Sequence, residues 1–258
     1  MPRANRYVIP GNVYHVTHRC HDRRFLLKFQ KDRSLYRSLL RVAIQEFGIS
    51  LLTYNITSNH VHLVAYVNRR ESIAGLMQKV AGDFARKYNR RKQRSGAFWE
   101  GRYHATMVDG GRYLQECMRY VELNMVRCGV VEHPQQWEWS GYEELMGRRD
   151  RNRLLAVEKL LELLGYGDVE KFRGAFEAGV RETIAREDRQ RQPQWTESLA
   201  VGGSDFVESL TGRIRNRQQI EKERVGDAWV LRERDSAVYG LEKVSHKPEK
   251  RDQIVGSA

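Results

Sequence analysis

The feature that most constrains this chain is the alternation of two hydrophobic periods through its first half. Residues 13–18 interleave β-branched and aromatic side chains with polar ones, the pattern of a half-buried strand. Residues 31–47 carry Leu35, Leu39, Leu40, Ala43 and Phe47 on one helical stripe, and Gly48 supplies a stop. Residues 51–57 and 60–67 read as two strands of a hairpin joined through Ser58 and Asn59, which are turn formers. Ser72 suits a helix N-cap, and the helix it opens runs through Leu76, Val80, Phe84 and Tyr88. A short strand over 103–108 and a break at Gly110-Gly111 precede a helix over 112–126. Its expected core positions are Leu114, Cys117, Met118, Val121 and Val126. Such a βαββαβ series predicts an α+β fold, with an antiparallel sheet carrying both crossover helices on one face. The added helix must pack against that unit.

The rest of the chain reads differently. Residues 130–146 contain Trp137 and Trp139 and are expected to wrap back as irregular structure with aromatic anchors. Helical patterns follow over 154–164 and 170–186, a polar linker with Pro193 over 187–194, and a short helix over 204–210. Residues 218–233 are charged and have only a weak apolar stripe. The expected division is a domain over 1–150, a small helical extension over 151–242, and a disordered tail over 243–258.

Charge separates the same regions. The chain of 258 residues carries +12, and residues 1–100 hold 19 Lys and Arg against 6 Asp and Glu, a net of +13. Residues 101–150 are −2 and residues 151–258 are +1. A basic domain of this kind attracts phosphate, so nucleic acid is the first partner to consider. No apolar run approaches the ~20 residues of a membrane span, and the first ten residues have no apolar signal core. The three cysteines form no CxxC pair, so neither a disulfide framework nor a zinc knuckle is expected. A cytoplasmic, nucleoid-associated location fits these features.

Two small constellations can carry chemistry. His60 and His62 are i and i+2 on an expected strand, so they share one face and can hold a divalent metal, or serve as ordinary sheet histidines. Tyr120 and Asn124 are i and i+4 on an expected helix. There they present a phenol beside an amide oxygen, a hard ligand for Mg²⁺ or Mn²⁺. A phenolate is a competent nucleophile toward a metal-polarised phosphodiester. Equally, a core tyrosine and a helix-end asparagine would have this spacing.

These residues resemble those of single-tyrosine transposases of the HUH type, the IS200/IS605-like enzymes. Ser58-Asn59-His60-Val61-His62-Leu63-Val64 is similar to their NHVHLL strand. Tyr14-His15-Val16-Thr17-His18-Arg19 resembles their first strand, and the run from Gly96 to Tyr103 resembles their G-x-x-W-x-G-R-Y segment. The run from Tyr113 to Asn124 resembles YLxxCxRYIELN. Trp139-Ser140-Gly141-Tyr142 resembles a closing WSSY, most like the REP-associated tyrosine transposase subgroup. The resemblance spans residues 3–146. It implies a ferredoxin-like core with an added catalytic helix, homodimerisation, and cleavage of single-stranded DNA beside hairpins. It further implies that His60, His62 and Asn124 hold Mg²⁺ or Mn²⁺ and that Tyr120 attacks to give a 5′-phosphotyrosine and a free 3′-hydroxyl. The chain departs from the pattern at Ser58 and Met125, where the family has proline. Loss of the second proline removes a helix stop after Asn124.

The basic residues expected on DNA are Arg19, Arg23 and Arg24 after the first strand, and Arg86, Lys87, Arg90, Arg91, Lys92 and Arg94 around the end of the second helix. Arg102 and Arg119, near the chemistry, complete the set. Tyr88, Phe98 and Trp99 are expected to stack on unpaired bases. His15, His18, His21 and His104 are read as structural or solvent-facing, with contact to metal ligands or phosphate as the other reading. Two further functions compete with strand transfer. One is a non-catalytic hairpin-binding relic, and the other is a hydrolase using water, which needs a carboxylate near the histidine pair.

Overall fold

The computed structural model describes residues 8–187, 190–214 and 220–233. Its elements run β1 (Asn12–Arg19), α1 (Gln30–Glu46), β2 (Ile49–Ile56), β3 (His60–Val67), α2 (Ser72–Arg91), β4 (His104–Val108), α3 (Arg112–Glu122) and α4 (Asn124–Arg127). They continue with α5 (Tyr142–Leu145), α6 (Val157–Leu164), α7 (Val169–Ala185), α8 (Gln194–Glu197), β5 (Ala200–Gly202), α9 (Ser204–Arg213), β6 (Ile220–Val225) and β7 (Ala228–Glu233). The fold is α+β. Among the described residues seven strands form one sheet in the order β2-β3-β1-β4-β5-β7-β6. The first four strands and the helices α1 and α2 make the βαββαβ unit expected from the sequence. β1 lies between β3 and β4, antiparallel to both.

Strand alternation divides the core into two layers. Val61, Leu63, Ala65 and Val67 of β3 face α1 and α2 and meet Tyr36, Leu40, Ala43, Leu76, Val80 and Phe84. The helices approach so closely that a Cβ at Gly75 would clash with the Phe47 ring. The buried face of α1 is turned slightly from the expected stripe. Tyr36 and Ile44 are buried, whereas Leu35, Leu39 and Phe47 are only partly covered. Ser72 does not cap α2. It is the first helical residue, and the N-cap position is Glu71, whose side chain makes no capping bond.

The opposite face carries α3, α6 and α7. Leu114, Cys117, Met118 and Val121 of α3 pack with Leu52, Val64 and Val108 of the sheet and with Phe172, Phe176 and Val180 of α7. The helix expected over 112–126 is interrupted at Leu123 and resumes as α4. The amide of Leu123 still bonds Arg119 O at 2.9 Å and the amide of Arg127 bonds Leu123 O at 2.9 Å. Without proline at Met125 the helical hydrogen bonding runs on through Leu123 instead of stopping. Trp139, Ser140 and Gly141 cover the free edge of β2. There Ile56 N bonds Trp139 O and Gly141 N bonds Tyr54 O, both at 2.9 Å. This is the aromatic wrap expected for 130–146.

The purely helical extension expected over 151–242 needs correction. Helices α6, α7 and α9 are present, but β5, β6 and β7 lengthen the sheet. β5 runs parallel to β4, and β7 antiparallel to β5. The reason is that β6 has only Ile220 buried, while β7 buries the adjacent Val230 and Leu231 on opposite faces. Neither strand has a one-sided apolar alternation to read. Of the linker expected over 187–194, positions 188–189 lie outside the described residues, and the segment ends in α8. The tail expected over 243–258 lies wholly outside them.

Candidate active site

The functional face of the sheet is the one that carries α3. His60 and His62 of β3 alternate onto it with Val64, and His15 and Thr17 of β1 arrive beside them because Thr17 pairs with His62 and His15 with Val64. A cleft of about 490 Å³ opens there. Its lining includes His60, His62, Tyr120 and Asn124, so four residues from a strand and two helices meet in one place. The rings of His60 and His62 lie 4.6 Å apart, and the Tyr120 ring lies 6.1 Å from that of His62, edge-on.

The hydrogen bonds define the protonation of each histidine. Asn59 donates its Nδ2 to Arg23 O at 3.1 Å, so its Oδ1, 2.6 Å from His60 Nδ1, accepts. The proton of His60 therefore sits on Nδ1 and leaves Nε2 bare. His62 Nδ1 lies 2.8 Å from His15 Nε2, and its own Nε2 receives the Asn124 amide at 3.1 Å. Burial, followed by the charge of Arg19, lowers His60 to about 4. Burial also holds His62 well below the ordinary range, and lowers His15 to about 3. All three are neutral imidazoles at neutral pH, the form that ligates a metal. The Asn124 Oδ1 is buried without a hydrogen-bond partner. Two bare imidazole nitrogens and one unpartnered amide oxygen fit a hard divalent cation of mixed N/O preference. Among the described residues no three His, Cys, Asp or Glu side chains form a group that could hold a metal ion.

Tyr120 is largely buried, and burial raises its phenol pKa, with Arg127 acting in the opposite direction. The Arg127 guanidinium lies over its ring. Arg127 was not among the residues singled out in the sequence. It lies in α4, seven residues after Tyr120.

The expected DNA contacts separate into groups. Arg19 and Arg102 line the cleft. Arg23, Arg24, Lys87, Arg90 and Lys92 are exposed. Arg86 pairs with Asp83, and Arg91 with the fully buried Asp32. Arg94 bonds Asn89 and Ala97 O. Arg119 is not brought to the cleft. It is half-buried against Gly179 of α7. The aromatic stacking platform also needs correction. Tyr88, Phe98 and Trp99 are buried among Tyr36 and Phe84, because they close the α2 side of the core. Among the described residues the exposed aromatics are Phe25 and Phe29, in the loop that holds Arg23 and Arg24. Asp22 and Arg23 adopt positive φ there, at 52° and 54°. Such strain in non-glycine residues is retained where surrounding contacts hold it, as Asn59 does here. Ser58, a departure from the family pattern, accepts a bond from Arg33 at 3.0 Å.

Four more cleft residues were not legible beforehand: Glu100, and Arg191, Thr196 and Glu197 from the C-terminal segment. Glu100 and Glu197 are the carboxylates that a water-activating reading would require.

A histidine pair, a tyrosine and an asparagine are thus gathered in one cleft on one face of the α+β sheet. Residues 10–124 match the family model of IS200-like transposases. Solved structures with similarity include a REP-associated tyrosine transposase bound to a REP hairpin, at 13% identity and TM-score 0.49, covering 60% of this chain and 96% of that one. Another is a candidate transposase from Deinococcus radiodurans R1, at 18% identity and TM-score 0.33, covering 42% of this chain and 87% of that one. No curated protein sequence matches the chain. Among the described residues no helix is long and apolar enough to cross a membrane.

Proposed function

We propose that this protein is a metal-dependent single-stranded DNA endonuclease and strand transferase that cuts beside hairpins through a 5′-phosphotyrosine intermediate. The observation that carries this reading is the meeting of His60, His62, Asn124 and Tyr120 in one cleft. His60 and His62 offer unprotonated Nε2 atoms, that of His62 now accepting from the Asn124 amide, and Asn124 an unpartnered Oδ1, so these three residues would hold Mg²⁺ or Mn²⁺. Such an ion, when bound, supplies Lewis-acid polarisation of the scissile phosphate.

The chain's own residues do the rest. Tyr120 Oη forms a bond to phosphorus, the bond from phosphorus to the 3′ oxygen breaks, and the phenolic proton is lost as the 3′-hydroxyl gains one. The phosphotyrosine ester conserves the diester bond energy, so another 3′-hydroxyl can reverse the step. Arg127 offsets the negative charge that develops on the phenol. Arg19 and Arg102 counter the charge of the strand lying in the cleft. The family match to a transposase supports DNA as the substrate.

Incubation with hairpin-bearing single-stranded DNA and Mn²⁺ tests the reading. The expected result is a covalent protein–DNA adduct that survives denaturation and is lost in Tyr120→Phe. An adduct of unchanged yield in that variant overturns the role of Tyr120. Hairpin binding with no cleavage under any divalent metal would instead identify a non-catalytic binder.

A further inference from the structure

A hydrogen-bond chain joins the C-terminal segment to the histidine pair. His15 Nδ1 lies 2.7 Å from the backbone carbonyl of Trp195, a residue 180 positions later in sequence. A carbonyl only accepts, so His15 carries its proton on Nδ1 and, being neutral, has a bare Nε2. That Nε2 is 2.8 Å from His62 Nδ1, which therefore donates. The ring planes are 13° apart and the centroids 5.0 Å, a span consistent with a bond that runs edge to edge between the rings. The proton of His62 is thereby fixed on Nδ1, and its Nε2 lone pair is directed at Asn124 and the cleft. A free neutral imidazole favours the opposite tautomer, whose Nε2–H cannot ligate.

The start of the chain is itself anchored. Ser198 O, three residues after Trp195, accepts from Thr106 Oγ1 at 2.7 Å and lies 3.0 Å from His104 Nε2. Leu199 O accepts from the Met107 amide at 2.8 Å, which leads into the β4–β5 pairing. Trp195 is buried in the same core layer as Val13 and Tyr120. His15 itself is fully buried and does not line the cleft.

We propose that His15 and the Trp195 carbonyl form a positioning relay that sets the tautomer of His62, so that the segment 190–199 completes a site whose ligands all lie within residues 60–124. The proposal rests on the metal-site reading of His60, His62 and Asn124. It assigns the C-terminal extension a task, that of holding one metal ligand in its competent form. Partners of metal-binding histidines act in this way generally, and their loss typically weakens metal binding roughly 10–100-fold.

The test uses the full chain and two readouts. Nitrogen-15 NMR of the metal-free protein, labelled at its eight histidines, reports the tautomer of His62. Titration with Mn²⁺, followed by electron paramagnetic resonance, reports affinity. In the wild type His62 is expected as the Nδ1–H form. His15→Leu should lose that preference and bind Mn²⁺ about tenfold or more weakly. His15→Gln should restore both, because its amide can donate to Trp195 O and accept from His62 across a similar span. If the leucine variant does not fold, His15→Asn serves, its amide being one methylene too short to reach both partners. An Nε2–H tautomer of His62 in the wild type, or equal Mn²⁺ affinity in wild type, leucine and asparagine variants, overturns the relay. Absence of Mn²⁺ binding by the wild type, with the expected tautomers intact, overturns the metal reading and leaves the relay supported.

Discussion

The Arg127 guanidinium carbon sits 4.0 Å from the centre of the Tyr120 ring, and its Nη2 bonds the Tyr120 backbone carbonyl at 2.7 Å. This stacking puts a permanent cation against the proposed nucleophile. A desolvated cation–π contact is worth about 2 kcal/mol, or more than tenfold in a rate. Arg127→Met is therefore expected to slow covalent adduct formation by about tenfold or more while hairpin affinity changes little. Arg127→Lys should recover only part of the loss, because an ammonium neither stacks flat nor forks to the carbonyl. Single-turnover adduct assays beside a binding isotherm check this. Equal rates in wild type and methionine variant would remove Arg127 from the chemistry.

Phe25 and Phe29 are 67% and 55% exposed, in a loop flanked by Arg23, Arg24 and Lys28. Lys92 Nζ lies 4.9 Å from the Phe29 ring. Aromatic faces among cations suit unpaired bases, each worth about 1–3 kcal/mol of stacking. Phe25→Ala is expected to weaken binding to a hairpin with an unpaired flank, without lowering the thermal midpoint. Trp99→Ala should do the reverse, costing about 3–5 kcal/mol of stability through a core cavity. Fluorescence anisotropy and thermal denaturation of both variants separate the two roles. An unchanged isotherm for Phe25→Ala would exclude the loop from binding.

The ion pairs sort the arginines in the same manner. Asp32 is fully buried and its partner is Arg91, so Arg91→Ala leaves an uncompensated carboxylate and should cost about 3–5 kcal/mol. Arg102 is exposed in the cleft and has no such duty. Arg102→Ala should leave stability unchanged and reduce the slope of log affinity against log salt by about 0.7, the value for one single-strand phosphate. Binding measured across a salt series, with a melting curve for each variant, tests both. A salt slope unaltered by Arg102→Ala would show that it touches no phosphate.

What the sequence disclosed follows the reach of local pattern. The β3 strand coincides with its expected span, and His60 and His62 share a face because alternation is a local rule. The four residues of the proposed centre were legible for that reason and through the resemblance. Arg127 was not, since its contact with Tyr120 depends on how the chain runs on past Leu123, which no local pattern specifies. Trp195, Thr196 and Glu197 were not, because nothing in their spacing relates them to His62. Burial misled the choice of aromatics. Phe98 and Trp99 follow a basic cluster in sequence, yet they close the core, and the short, charged strands β6 and β7 hide their partnership with β5.

The packing of α7 on α3 bears on whether residues 1–150 can stand alone. Phe172, Phe176 and Val180 cover Leu114, Cys117, Met118 and Val121, the apolar face of the helix that carries Tyr120. Phe176 is almost fully buried. Removing residues 151–258 would expose that face, beside Val108, whose strand would also lose β5. A chain ending at residue 150 is therefore expected to aggregate or bind hydrophobic dye. In the full chain, Phe176→Ala should cost about 3–5 kcal/mol, the range for loss of a buried aromatic side chain. Chemical denaturation of the point variant, with size-exclusion chromatography of the truncated chain, measures both. A monomeric truncated domain that melts like the full chain would mean that α7 is dispensable for folding. The cleft would then depend on the extension only through Trp195 and its neighbours.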